Sequence, residues 1–321
     1  MANYILGVGA SSLFENGYTT QRTEYRECSP FARWKFTTDA PRIFIKGYCN
    51  IYSQYPTVAH LGLKINGAYQ TLTCTADGIN TFDVSMGNGS KTIEIIAGAQ
   101  SKPSTTLLGT FPVAVYPYGS ANAPSETAPS ASNTIVMYGD SITSGAFADY
   151  PTSEAAAVLV RAAYGGSVLV EAWGYRALKD DGTDATARQT FSTRLASYNP
   201  SKIWLAIGTN DYGSSNGLWS AADFGTAYAD LLDKLHTDIS GATIYCQSPL
   251  IRTTETANLN HSNTLDDYRA QISTAAAARS GYCTYVNGKT ILSTSDLTDG
   301  VHPSTAGHLL WANAIKSAME V

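Results

Sequence analysis

The chain has 321 residues, of which 44% are hydrophobic and 15% charged, so it can bury sizeable cores and is not a disordered polymer. Its net charge is -5, from 21 Lys and Arg against 26 Asp and Glu, and it contains no run of basic residues. We therefore expect no nucleic-acid partner, because phosphate binding needs a concentrated basic surface.

Neither the N-terminus nor any apolar run predicts a membrane partner. The first residues lack the basic and apolar regions of a secretory signal, and no stretch of about 18 apolar residues predicts a transmembrane helix. The compartment stays open, since a leader can be removed. The cysteines include no CxxC pair, so we interpret them as buried thiols, with one disulfide among the first three as the alternative: Cys28, Cys49, Cys74, Cys246 and Cys283.

Residues 1–118 are typical of an all-β domain. Short β-forming runs alternate with turn residues and none has a helical period. Asn66-Gly67 separates two of the runs and is a strong hairpin signal. We predict a β-sandwich, jelly-roll-like, as an accessory domain. The predicted strands are 34–37, 42–48, 57–65, 70–74, 92–97 and 109–116.

After this region, prolines and small residues predict a semi-extended linker at 119–133. From 134 to 321, strands alternate with helices, which predicts a parallel sheet between two helical layers, an α/β/α domain. Ligands bind such sheets at the carboxyl ends of the strands. The predicted strands are 134–138, 167–172, 202–207, 242–247 and 282–286, and the predicted helices are 153–163, 187–197, 221–239, 264–279 and 304–319.

The first of these strands ends in Gly139-Asp140-Ser141. A serine at a strand-to-helix turn can expose its hydroxyl above the sheet, and its own N–H can help to bind an oxyanion. This is not a Gly-x-Ser-x-Gly elbow, because residue 143 is Thr. The triplet alone is a weak signal, and an ordinary turn is the alternative.

The next two strands also end in groups that can stabilise negative charge. Gly174 follows the second strand, where a glycine lets the backbone N–H point at a ligand. Asn210 follows the third strand, and its amide is a possible further donor. A strand-ending glycine and an Asx-turn are the alternatives.

A candidate base lies near the C-terminus, in the loop before the last predicted helix. A serine needs a base to take its proton, and His302 with Asp299 three residues earlier supplies a base and the acceptor that orients it. A surface loop ahead of a helix capped by Ser304 is the alternative. The remaining histidines are expected to be structural or on the surface: His60, His236, His261 and His308.

Together these segments resemble the SGNH (GDSL) hydrolase superfamily over about residues 134–321, with its motifs in the expected order. The resemblance implies that Ser141 is the nucleophile, His302 the base and Asp299 its partner. It also implies an oxyanion hole from Ser141, Gly174 and Asn210, although the sequence around Gly174 is less typical of the superfamily. The implied reaction is acyl transfer through a covalent ester, with no metal or organic cofactor.

The β domain ahead of the hydrolase domain resembles the two-domain carbohydrate esterases, which implies an acetyl ester on carbohydrate as substrate and a β domain that can bind carbohydrate. Aromatic residues near the strand ends can stack on sugars, though several can equally be core. The chain has no long apolar lid segment of the kind a lipase uses. The predicted substrate contacts are Trp173, Tyr175, Arg176 and Tyr212.

Two other functions remain open. One is a short-chain lipid esterase or thioesterase of the same superfamily, acting on another small ester. The other is a glycan-binding adhesin or phage-tail-like module in which the esterase is accessory.

Overall fold

A computed structural model describes residues 6–7, 14–15, 31, 33–49, 60–76, 78–98, 110–119, 125–126, 134–164, 167–172, 174–181, 195–196, 199–213 and 218–321. Within these ranges two antiparallel sheets precede one parallel sheet. Among the described segments, no helix has the length and apolar character needed to cross a membrane.

The N-terminal strands form two sheets around a shared apolar core. One sheet has the order β1-β9-β4-β7 and the other β10-β3-β8-β5-β6, with β2 also paired to β3. Trp34 and Phe36 of the second sheet pack with Ile43 and Ile45 of the first. The strands are β1 Leu6–Gly7, β2 Phe14–Glu15, β3 Arg33–Thr38, β4 Arg42–Cys49, β5 His60–Ile65, β6 Ala68–Thr73, β7 Gly78–Ser85, β8 Lys91–Ile96, β9 Thr110–Tyr118 and β10 Ser125–Glu126.

The predicted hairpin at Asn66-Gly67 is confirmed. Both residues have positive φ, 51° and 85°, and they connect the antiparallel strands β5 and β6. Strand β7 was missing from the prediction, although Phe82 and Val84 alternate on the face that packs against the core, because a polar residue begins that face and an apolar residue lies on the other. Ile79 is 55% exposed, whereas Asn80 is the buried residue of this strand.

The C-terminal region is a three-layer α/β/α unit, as predicted. Its five strands are all parallel, in the order β12-β11-β13-β14-β15. The elements are β11 Thr134–Gly139, α1 Pro151–Glu154, α2 Ala156–Tyr164, β12 Ser167–Ala172, β13 Pro200–Ala206, α3 Thr209–Tyr212, α4 Ala221–Asp238, β14 Thr243–Gln247, α5 Leu265–Ala277, β15 Cys283–Val286 and α6 Thr305–Met319.

Strand β11 is an interior strand of this sheet, between β12 and β13, and is buried on both faces. Val136 and Tyr138 pack with α4 and α5, whereas Ile135 and Met137 pack with α2 and α6. This explains why the strand is a continuous apolar run and not an alternating one. The last helix begins where predicted, because the Ser304 hydroxyl accepts a hydrogen bond from the N–H of Gly307 at 3.2 Å.

Two sequence predictions concern segments with little described structure. The predicted helix at 187–197 lies outside the described residues except for 195–196. Within the predicted linker, Ser125–Glu126 pairs with β3 and so adds a strand to the N-terminal region. Of the cysteines with described side chains, Cys246 and Cys283 are buried free thiols and Cys74 is disulfide-bonded.

Candidate active site

The predicted site residues follow strands that end level with one another. Gly139 at the end of β11 pairs with Ala172 of β12 on one side and with Ala206 of β13 on the other. The chain leaves β11 for β12 and then crosses to β13, so the strand order reverses at β11. Such a reversal opens a crevice at the carboxyl edge of a parallel sheet. Ser141 is two residues beyond this point.

The turn that carries Ser141 is fixed by its own hydrogen bonds. The carboxylate of Asp140 accepts the N–H of Ile142 at 2.9 Å, and the Asp140 carbonyl accepts the N–H of Ser144 at 3.0 Å. The Ser141 carbonyl accepts the N–H of Ala146 at 2.9 Å. The serine backbone is therefore held rigidly just above the sheet.

Gly139 has a packing reason to be glycine. A Cβ at this position would lie 2.8 Å from the carbonyl oxygen of Ala206 and 2.7 Å from Cβ of Thr143. No side chain fits between the strand and the turn that follows it. The first residue of the motif therefore permits the close turn that presents Ser141.

The structure brings Ser141, His302 and Asp299 into one hydrogen-bonded line. Ser141 Oγ lies 2.8 Å from His302 Nε2, and His302 Nδ1 lies 2.8 Å from Asp299 Oδ2. The other carboxylate oxygen of Asp299 accepts the backbone N–H groups of His302 at 2.8 Å and Val301 at 3.0 Å. The Asp therefore folds back onto its own loop and holds both the ring and the backbone of His302.

Asp299 stays ionised in this setting. Burial raises the pKa of Asp299, but the hydrogen bonds from the ring and backbone of His302 outweigh it and hold the pKa well below its usual range. An ionised acceptor at Nδ1 fixes the ring proton on that nitrogen. The lone pair of His302 Nε2 then faces the hydroxyl of Ser141.

The candidate oxyanion donors lie at the same edge. Gly174 is buried in the turn that directly follows β12. The amide nitrogen of Asn210, at the start of α3, donates one hydrogen bond to the carbonyl of Arg176 at 2.9 Å. Since an amide has two N–H donors, the second can bind a ligand.

Asp211, which the sequence did not single out, joins the second and third loops of the site. Its fully buried carboxylate accepts the N–H of Leu178 at 2.9 Å and the N–H of Lys179 at 3.1 Å. Two neighbouring residues, Asn210 and Asp211, are thus hydrogen-bonded to the loop that carries Gly174. The place of Asp211 beside Asn210, directly after a buried strand, is the sequence signal that could have identified it.

Arg176 does not face a substrate, which corrects its predicted role. The side chain is 0% exposed, and its guanidinium lies 3.8 Å from the centre of the Tyr138 ring. It also donates a hydrogen bond to the carbonyl of Glu171 at 2.6 Å. Arg176 therefore braces the ends of β11 and β12 from inside the fold.

Of the other predicted substrate contacts, one is buried, one is exposed and one is not described. Tyr212 is also buried, and its hydroxyl donates to the carbonyl of Thr256 at 2.6 Å, so its substrate contact is corrected as well. Tyr175 is 53% exposed and has a φ of 61°. Trp173 lies outside the described residues. Tyr175 is thus the predicted contact that the described part of the site leaves open to solvent.

Phe147 is a site residue that the sequence did not reveal. Its ring stacks on the imidazole of His302, with centroids 4.8 Å apart and planes 28° apart. Its φ is 67°, a left-handed conformation that is unusual for a bulky residue. The sequence offered no signal for Phe147, because neither Gly nor Asn marks the left-handed position.

A buried histidine, His308, holds the backbone next to Phe147. Nε2 of His308 lies 3.2 Å from the carbonyl of Ala146, to which it donates, next to Phe147. Burial lowers the pKa of His308 to about 4, so the ring is neutral near pH 7. His308 therefore has the structural role that we expected for it.

Arg252 brings a cation to the edge of the site. Its guanidinium donates to the carbonyl of Thr209 at 3.2 Å, directly before Asn210. The loop that carries it is clamped by Arg269, which donates to the carbonyls of Pro249 at 2.9 Å and Leu250 at 2.7 Å. A second fixed loop thus supports the carbonyl next to Asn210.

The arrangement is suited to nucleophilic chemistry. A hydroxyl that is hydrogen-bonded to an imidazole can transfer its proton to that ring as it attacks a carbonyl. The ionised carboxylate at the other ring nitrogen stabilises the imidazolium that forms. Within the described ranges, no group of three or more His, Cys, Asp or Glu side chains could hold a metal ion.

Residues 137–310 match the model of the GDSL-like lipase/acylhydrolase family. A search of curated proteins found no match.

Several solved structures share the fold at low identity. A carbohydrate esterase family 2 enzyme plus carbohydrate binding domain from Corynascus thermopiles (Myceliophthora fergusii) is 18% identical, with 100% of each chain covered and a TM-score of 0.68. A family two carbohydrate esterase from Cellvibrio japonicus is 16% identical over 99% of this chain and 97% of that chain, with a TM-score of 0.71. A salicylyl-acyltransferase from a tetracycline biosynthetic pathway is 19% identical over 90% and 82%, with a TM-score of 0.69.

The carboxyl of Asp140, beside Ser141, makes the stability of the fold depend on pH. The carboxyl is fully buried, and burial raises its pKa from 3.8 to about 6, against the opposing effects of the Ile142 N–H and of His302. Because the folded protein holds this proton more tightly than the unfolded chain, Asp140 lowers stability progressively as pH rises from about 4 to about 6. Above pH 6 the full penalty is present.

Asp140→Asn removes this titration and keeps an oxygen that can accept the N–H of Ile142. We expect the variant to gain about 2 kcal/mol more stability over the wild type at pH 8 than at pH 4.5. Urea unfolding at both pH values measures the difference. Equal differences at the two pH values would show that Asp140 does not titrate as described.

Proposed function

The chain belongs to the GDSL-like lipase/acylhydrolase family, and we propose that it is a serine esterase that removes small acyl groups, acetyl above all, from carbohydrate. The observation that carries the proposal is the line of hydrogen bonds from Ser141 Oγ through His302 to Asp299 at the carboxyl edge of the sheet. The family supports ester hydrolysis, and the acetyl group and the carbohydrate are the finer parts of the proposal.

In the first half-reaction, Ser141 Oγ attacks the ester carbonyl carbon while His302 Nε2 takes the hydroxyl proton. Asp299 stabilises the resulting imidazolium through Nδ1. The backbone N–H groups of Ser141 and Gly174 and the amide of Asn210 hold the oxyanion of the tetrahedral intermediate. The intermediate collapses, the sugar alcohol leaves with the proton from His302, and the acyl group remains on Ser141.

In the second half-reaction, His302 takes a proton from water as the water attacks the acyl-serine. The intermediate collapses again, the acid leaves, and Ser141 regains its proton from His302. Ser141 and Asp299 are each already within hydrogen-bond distance of His302, so proton transfer needs no rearrangement of these three residues to begin.

Two observations support a carbohydrate substrate. Tyr175 exposes an aromatic ring directly after Gly174, and a flat aromatic face suits the apolar face of a sugar ring. Two of the similar structures are carbohydrate esterases, and they match nearly the whole of this chain. The match includes residues 1–118, which we call the β region. The lack of a long apolar lid segment in the sequence favours a small acyl group over a long chain.

Ser141→Ala tests the nucleophile. Loss of the attacking hydroxyl should reduce ester turnover by at least about 10³-fold while the fold stays intact. Hydrolysis of p-nitrophenyl acetate and a thermal melt provide the two measurements. Ser144→Ala is the matched control, since Ser144 is a buried serine in the same turn and bonds the backbone carbonyl of Ser141, not the imidazole. A folded Ser141→Ala enzyme with near-normal turnover would remove Ser141 from the mechanism.

Phe147→Ala tests the stacked ring as a positioning residue. Without the stack the imidazole gains freedom to leave its hydrogen-bonded position, so we expect kcat on p-nitrophenyl acetate to fall about 10-fold with KM little changed. Phe147→Tyr keeps the ring and should restore most of kcat. Equal losses in both variants would instead indicate damage to the turn.

An acetate-release screen over acetylated polysaccharides, beside p-nitrophenyl esters of rising chain length, tests the substrate. We expect acetate from at least one polysaccharide, and the acetyl ester to be cleaved about 10-fold or more faster than the octanoyl ester. Good cleavage of long-chain esters without acetate release would favour a lipid esterase. Glycan binding by the full-length Ser141→Ala variant, with no acetate release by the wild type, would favour the adhesin-like function.

A further inference from the structure

The β region rests directly on the helix that follows the Ser141 turn. Strand β5 packs against α1, and the hydroxyls of Tyr69 and Thr152 form a hydrogen bond across the contact. At Gly62 a Cβ would lie 3.1 Å from Cβ of Thr152, so the absence of a side chain allows this close approach. The contact joins a strand to a helix, and it therefore holds the β region in a fixed position beside the Ser141 turn.

A second contact fixes the same arrangement from another side. The guanidinium of Arg161, on α2, donates to the carbonyl of Phe31 at 2.7 Å, and the Phe31 ring is fully buried in the core that α2 shares with α6. Residues of the β region therefore belong to the packing of the α/β unit.

Two aromatic rings meet at the edge of this contact. His60 is the first residue of β5 and Tyr150 is the residue before α1, and their ring centroids lie 5.9 Å apart at 55°. Tyr150 is 46% exposed in spite of the contact, whereas His60 is half-buried. We call these two residues the junction pair. Each region contributes one member, so the surface exists only in the joined molecule.

The ring of His60 is half-buried, and among the described residues its buried Nδ1 has no hydrogen-bond partner, which is unfavourable for stability. Burial also lowers the pKa of His60, so the ring is uncharged near neutral pH. An uncharged imidazole beside an exposed phenol suits a neutral, hydroxyl-rich ligand better than an anion.

The junction pair is close to the reacting groups along the chain. Tyr150 ends the segment that begins at Ser141, and it is three residues beyond Phe147, whose ring touches His302. Three residues span at most about 11 Å. The segment is anchored, because the N–H of Asp149 donates to Thr305 Oγ1 at 2.9 Å. The backbone of Tyr150 is therefore fixed within about 11 Å of that of Phe147, directly before α1 and on the segment that begins at Ser141.

We propose that the junction pair is a subsite for a sugar ring of the acylated glycan, next to the sugar whose ester lies at Ser141. The ring of Tyr150 stacks on the apolar face of the sugar, and the β region contributes His60 to the same surface. The inference rests on the carbohydrate substrate proposed above. It gives the β region a direct part in substrate binding at the catalytic centre.

The test compares a glycan with a substrate too small to reach the junction pair. Tyr150→Ala is assayed on the acetylated polysaccharide that the wild type cleaves best and on p-nitrophenyl acetate. Tyr118→Ala is the matched control, because Tyr118 is a tyrosine of β9 with a similar exposure of 52%. We expect Tyr150→Ala to raise KM for the polysaccharide about 5- to 10-fold with kcat unchanged, and to leave p-nitrophenyl acetate kinetics and the melting temperature unchanged.

Tyr150→Phe keeps the ring and should retain the wild-type KM. A KM for Tyr150→Ala within twofold of the wild type, or an equal loss on p-nitrophenyl acetate, would overturn the subsite while the carbohydrate substrate stands. A wild type that cleaves p-nitrophenyl acetate and releases acetate from no polysaccharide would overturn the carbohydrate substrate, and the subsite with it. The two failures are therefore distinguishable.

Discussion

The pairing of β11 with both of its neighbours decides where the groups of the site can lie. Because Gly139 is level with Ala172 and Ala206, the chain segments that leave the three strands begin at one height on one edge of the sheet. Residues far apart in sequence, Ser141 and Asn210 among them, are therefore delivered to the same crevice. A slip of this register would separate them, whatever their side chains.

Hydrogen bonds between the loops then fix the orientation of the groups that the sheet brings together. Asp211 holds the loop after β12, and Arg252 holds the carbonyl next to Asn210. Asp299 folds back on its own loop and grips the ring of His302. Since groups that stabilise a developing charge act best when they are already oriented, this support is part of the chemistry of the site.

The sequence predicted the parts of the site that follow from periodicity and from strand ends. Ser141, Asn210 and the Asp299–His302 pair each stand where a predicted element begins or ends, and a parallel sheet brings such places together. Phe147 was not predictable, because its role depends on the stacking of a ring on a residue 155 positions away along the sequence. The substrate contact predicted for Arg176 was wrong for a related reason.

For Arg176, the motif indicated proximity to the substrate but not the direction of the side chain. Its guanidinium turns inward onto Tyr138. Phe147, whose ring stacks on His302, and Tyr175, whose ring is exposed, differ from Arg176 because their backbones adopt an unfavourable conformation. Both have positive φ, at 67° and 61°, which is uncommon for aromatic residues and costs of order 1–3 kcal/mol each. The surrounding packing must hold these conformations in place. Phe147 lies on the segment that begins at Ser141, and Tyr175 lies on the loop after β12. The positions of these two aromatic rings are therefore set by tertiary structure and not by the composition of the strand-end motifs.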